Sequence, residues 1–166
     1  FVTVHYEVKS CKLKGKYRAV VLADLHNKQF GKDNERLLRE IKKCQPDGIW
    51  IAGDIPTAEP KKKLDTALKL MKALAGKYPV FYGNGNHEQR MKLYPETYKT
   101  MAKEYAAGLA DIGITPLVNE KREIADHNIV VYGAEIDREY YRRVRSISME
   151  KQYLENLLGN PKSDGF

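Results

Sequence analysis

The chain has 166 residues, with 29 Lys+Arg against 22 Asp+Glu and a formal net charge of +7. That length suits one domain able to bury roughly 70% of its unfolded surface, so residues 1–166 are expected to form a single domain. A charged fraction of 31% beside 42% hydrophobic residues excludes a disordered chain, and two cysteines, Cys11 and Cys44, exclude a disulfide-stapled miniprotein. The charge is uneven: residues 1–83 carry a net +8 and residues 84–166 a net −1. A basic half favours an anionic partner. No apolar run is long enough to span a bilayer. The sequence starts at Phe1, so the expectation is a soluble domain, either cytoplasmic or tethered by an N-terminal membrane helix outside this sequence.

Val2–Val8 alternates and predicts an edge strand. Tyr17–Ala23 predicts a second strand, whose continuous apolar run suits burial on both faces. Asp33 is placed to cap a helix carrying Leu37, Leu38, Ile41 and Cys44 on one stripe, and Pro46 ends it. Gly48–Ala52 predicts a third strand. A helix from about Pro60 to Ala75 follows, with Gly76 as its stop. Pro79–Tyr82 predicts a fourth strand. This alternation implies parallel strands joined by helical crossovers. Beyond it the spacing predicts a helix over about Pro95–Asp111, strands near Thr115–Val118 and Asn128–Tyr132, an arginine-rich stretch at Arg138–Arg145, and a last helix between Ser148 and Gly159.

Polar clusters interrupt the apolar pattern just past three of these strands: Asp24-Leu25-His26, Gly53-Asp54, and Gly85-Asn86-His87-Glu88. The carboxyl ends of parallel strands form one crevice, so the clusters are expected to converge. Asp24 and His26 are two apart, and on an extended backbone they point the same way and can share one ion. Asp54 has two oxygens and can bridge two cations, and Asn86 offers a neutral oxygen to the second. Oxygen and nitrogen donors without thiolate suit Mn, Fe or Zn as divalent ions. Gly83 and Gly85 permit close approach of the backbone. Glu88 reads either as an acceptor that orients His87 or as an exposed glutamate.

Asp-x-His, then Gly-Asp, then Gly-Asn-His-Glu resembles the N-terminal signature of the calcineurin-like metallophosphoesterases. The resemblance is strongest over about residues 17–90. It implies an α/β fold, the αββα sandwich with mixed sheets, represented here by its N-terminal part. It further implies Asp24 and His26 as ligands of a first metal, Asp54 as the bridging ligand and Asn86 as a ligand of the second. His87 would stabilise the transferred phosphoryl group or protonate the leaving oxygen. The implied reaction is hydrolysis of a phosphomonoester or phosphodiester by a hydroxide that two metals generate. Two departures stand out. Gly-Asp runs on to Ile55-Pro56-Thr57 without a further Asp, and the family's later His and Gly-His-x-His motif do not occur in these residues. His5 and His127 read as structural.

Competing readings remain open. One is a nuclease, drawing on Lys12–Lys16, Lys61–Lys63 and the Arg138–Arg145 stretch, where Tyr140 and Tyr141 are placed to stack bases. Another is a phosphoesterase-like fold kept as a protein-binding scaffold. The expected partner is a phosphorylated small molecule or phosphodiester. An uncovered sheet face is expected to favour self-association, with weak metal binding by residues 1–166 alone.

Overall fold

The central apolar runs pair as a parallel sheet in the computed structural model, which describes residues 2–141, 147–150, 152–161 and 165–166. Strands β1 (Ala19–Leu22), β2 (Gly48–Ala52) and β3 (Val80–Gly83) lie side by side in that order. Val20 stands opposite Ile49, and Ile51 opposite Tyr82. Parallel neighbours need long crossovers, and helices α1 (Glu35–Cys44) and α2 (Asp65–Ala75) supply them.

Alternation along the strands decides the two faces of the sheet. Leu22, Ile49, Ile51 and Tyr82 share one buried cluster with Leu37 and Ile41 of α1 and with Leu70, Met71 and Leu74 of α2. Ile49, Met71 and Leu74 have no exposed surface. Burying an aliphatic or methionine side chain of that size contributes about 1.5–3 kcal/mol. Helices α3 (Asn86–Leu93), α4 (Pro95–Tyr98) and α5 (Met101–Asp111) extend the same core through Met91, Tyr98, Tyr105 and Leu109. The opposite face carries Val21, Trp50 and Phe81, which line an open crevice.

A hairpin of β4 (Glu120–Ile124) and β5 (Ile129–Gly133) forms a separate antiparallel pair, with Arg122 opposite Val131. Asn128 takes the left-handed conformation (φ 55°) that its turn requires. Leu117 makes a single parallel bridge to Gly83. Gly133 packs so tightly on Leu117 that an added Cβ would collide with that residue's carbonyl oxygen. The backbone of Phe166 pairs with the free edge of β5, at Asn128 (3.0 Å) and Val130 (2.8 Å). The architecture is mixed α/β, with parallel and antiparallel sheets, as the metallophosphoesterase-type fold requires. No helix among the described residues is long and apolar enough to cross a membrane.

Several expected elements fall elsewhere. Val2–Val8 forms no strand: alternation alone gives no pairing, and Val2 and Tyr6 are almost fully exposed. β1 is not buried on both faces, since it lies at the sheet's edge with Val21 59% exposed, whereas Phe81 of β3 on the same face is 8% exposed. Asp33 does not cap α1. It sits in a 3-10 turn (φ 49°), Asn34 occupies the cap position, and its Oδ1 accepts from Phe30 N instead. The helix expected from Pro60 starts at Asp65, after a positive φ at Lys61. The long helix expected over Pro95–Asp111 breaks in two at Lys99 (φ 55°, ψ −120°). Thr115–Val118 is not a strand; the pairing partner of β5 is the charged run Glu120–Ile124, because the tight turn at 125–128 sets that register. The last helix, α6, covers Tyr153–Leu158 and starts later than expected. Of the arginine-rich stretch, residues 142–146 lie outside the described residues.

Candidate metal centre

Each strand-end loop reaches the next through its backbone. Asp24 N donates to Gly53 O (3.2 Å), His26 N to Asp54 O (2.9 Å) and Asn27 N to Ile55 O (2.8 Å), so the loop after β1 is laced to the loop after β2. The loop after β3 is drawn against the same segment. His87 N donates to Asp54 Oδ1 at 2.7 Å, and a Cβ on Gly85 would occupy the place of the Asp54 carboxylate. That explains the glycine: the backbone must come this close.

Asp24 and His26 do not share a side by strand alternation, as the sequence suggested. Both have positive φ (55° and 49°), as do Asn27 and Asp54, so the loops are coiled rather than extended. Non-glycine residues in the left-handed region cost free energy, and several of them in one place mark a site held by its surroundings. The tight coil still leaves His26 Nε2 3.7 Å from Asp24 Oδ1. Asp54 is only 6% exposed and lies beneath them.

Ligand atoms of His26, Asp54 and His87 lie within 4.8 Å of one another, a possible metal site. Asn86 lies beside the same carboxylate. The amide end of Asn86 lies 2.9 Å from Asp54 Oδ2. In the protein alone the amide nitrogen satisfies that contact by donating. Turned over, the carbonyl oxygen occupies the same position, and two oxygens bound side by side to one cation at about 2.1 Å stand about 3 Å apart.

His87 differs from the other donors. Ala58 N donates to its Nδ1 at 2.8 Å, so Nδ1 presents a lone pair and the neutral ring carries its proton on Nε2. Ligation through Nε2 would require the proton on Nδ1, against the Ala58 N–H. Burial holds the imidazole below its ordinary pKa, against the pull of Asp54. The ring packs edge-on to His26, with centroids 4.6 Å apart.

Glu88 is neither exposed nor bonded to His87. It is 3% exposed and fastens two loops together. Oε2 accepts from Asp54 N and Gly85 N, both at 3.0 Å, and Oε1 accepts from Ile55 N (3.2 Å) and Tyr82 Oη (2.7 Å). Burial raises its pKa, opposed by these donors. Tyr82 has one hydroxyl proton and gives it to Glu88, so the 2.9 Å contact with Tyr105 must be a donation from Tyr105. Burial pushes both phenols well up. Sequence reasoning passed over this pair. The available signal was a tyrosine in a buried strand, which needs a polar partner.

The basic and aromatic features are less concentrated. Arg138 lies over the Tyr94 ring (4.7 Å), and Tyr140 is engaged edge-on with Tyr153 (4.8 Å) rather than free to stack a base. His127 is structural as expected, packing on Tyr17 with Nδ1 3.1 Å from Lys14 O. His5 is exposed.

Acidic, imidazole and amide donors gather at the carboxyl ends of three parallel strands, the place where open α/β sheets hold their ligands. A scan against family models matches calcineurin-like phosphoesterase over residues 17–164, and the chain belongs to that family. No curated protein and no solved structure matches it significantly. The family acts in general on phosphorylated substrates and binds divalent metals.

Proposed function

We propose that this protein hydrolyses a phosphomonoester or phosphodiester with a pair of divalent cations, Mn, Fe or Zn. What supports the reading is the convergence of three strand-end loops on the buried carboxylate of Asp54. Asp24 and His26 would hold one cation, Asp54 both, and Asn86 the second. When bound, the cations supply an activated water and offset charge on the phosphoryl oxygens.

His87 would act as a hydrogen-bond donor to the phosphoryl group through Nε2–H. Its bond from Ala58 N supports this role over protonation of the leaving oxygen, because a neutral imidazole is a weak acid and an imidazolium would set two N–H groups against each other. Asp24, exposed at the rim, and Asp54, buried at the floor, would act on the phosphoryl group only through the cations they hold, since ionised carboxylates offer it no donor.

The experiment is metal loading of the protein and of Asp54→Asn, followed by metal analysis and hydrolysis of p-nitrophenyl phosphate and its bis ester. A neutral amide cannot bridge two dications as a carboxylate does. The variant is expected to lose tight metal-pair binding and hydrolysis together; unchanged metal content and rate would sink the assignment.

A further inference from the structure

The loop that follows β5 is fastened over the start of α3. Glu135 Oε2 accepts from Asn84 Nδ2 and from Lys92 Nζ, each at 2.7 Å, and Glu135 N donates to Asn119 Oδ1 at 2.8 Å. Gln89 Nε2 donates to Ile136 O at 2.9 Å, and Asp137 N to Tyr153 Oη at 2.8 Å. These bonds come from β3's exit loop, from α3, from the chain before β4 and from α6. Between the tied residues Glu135 and Asp137, Ile136 lines the crevice.

The tethered loop delivers Tyr141 to the crevice of about 460 Å³ that also includes Asp24, Asp54, Asn84 and Asn86 in its walls. His87 is committed through Nδ1 to Ala58, on the segment after Asp54. A tyrosine phenol holds its proton up to about pH 10. It is therefore a donor at working pH, in a crevice that also holds the carboxylates of Asp24 and Asp54.

Resting on the phosphoesterase reading above, we propose that Tyr141 is a substrate-contacting residue. It shares the crevice of Asp54 and Asn86, and its hydroxyl donates a hydrogen bond to a phosphoryl oxygen of the bound phosphoester. The Glu135 bonds to Asn84 and Lys92 are what hold it there.

The test uses the metal-loaded protein and Tyr141→Phe, with two readouts. Calorimetry measures binding of inorganic phosphate, and kinetics with p-nitrophenyl phosphate separates KM from kcat. Losing a hydrogen bond to a charged oxygen is expected to weaken phosphate binding about 10–100-fold and raise KM similarly, with metal content and melting temperature unchanged. Phosphate binding and KM within about twofold of the parent would overturn the proposal, and so would loss of metal in the variant, which would make Tyr141 structural. A parent protein that neither binds phosphate nor hydrolyses the ester would instead overturn the phosphoesterase reading, and this one with it.

Discussion

At His87 the residue type and its surroundings say different things. A histidine beside a carboxylate and another histidine has the composition of a metal ligand, and its distances to His26 and Asp54 permit that. The donor at Nδ1 supports the proposed role instead, because that bond leaves the neutral ring's proton on Nε2. His87→Ala is therefore expected to keep its metals and lose turnover by roughly 10²–10⁴-fold, the usual size of a lost electrostatic group. Metal analysis beside steady-state rates checks this, and metal loss in step with rate would make His87 a ligand. Asp24, His26 and Asp54 were legible as donors from the sequence. Their left-handed backbone was not, because strain of that kind is imposed by neighbours and leaves no mark in residue type.

The element scale belongs to Glu88. From its place three residues after Gly85, at the start of α3, it reaches back to accept from Gly85 N, the one half of a capping box that a glycine N-cap allows. The same carboxylate also takes Asp54 N and Ile55 N, more than thirty positions away, and so joins the end of β2 to the start of α3. Glu88→Gln would leave one oxygen where two are used and set an amide NH₂ against N–H donors. The expected cost is about 2–4 kcal/mol, or roughly 5–15 °C in melting temperature for a domain of this length. Thermal unfolding followed by circular dichroism measures it, and a midpoint within about a degree of the parent would show that the clamp holds nothing. Tyr82→Phe, which removes Glu88's phenol donor and Tyr105's acceptor but leaves the backbone bonds, is expected to cost about 1–3 kcal/mol in the same measurement.

Across the whole molecule, burial is unequal. β2 is central, with Ile49 and Ile51 packed under α1 and α2, whereas four of the five residues of β4 are exposed. Opening free energy follows buried contact, so amide hydrogens of β2 are expected to exchange most slowly and those of β4 and β5 orders of magnitude faster. Native-state hydrogen exchange resolved by residue tests this; equal protection of the hairpin and the parallel sheet would refute it.

The sequence by itself determined the parallel β-α-β-α-β order, the family and the positions of Asp24, His26, Asp54, Asn86 and His87. Those features rest on local periodicity and on short motifs, which are written in consecutive residues. Tertiary structure alone decided that Val2–Val8 stays unpaired, that Glu120–Ile124 rather than Thr115–Val118 pairs with β5, and that Glu88 binds distant amides. It also brought Glu135 and Tyr141 to the crevice. Pairing, clamping and tethering need a partner from another part of the chain, and no window of neighbouring residues names that partner.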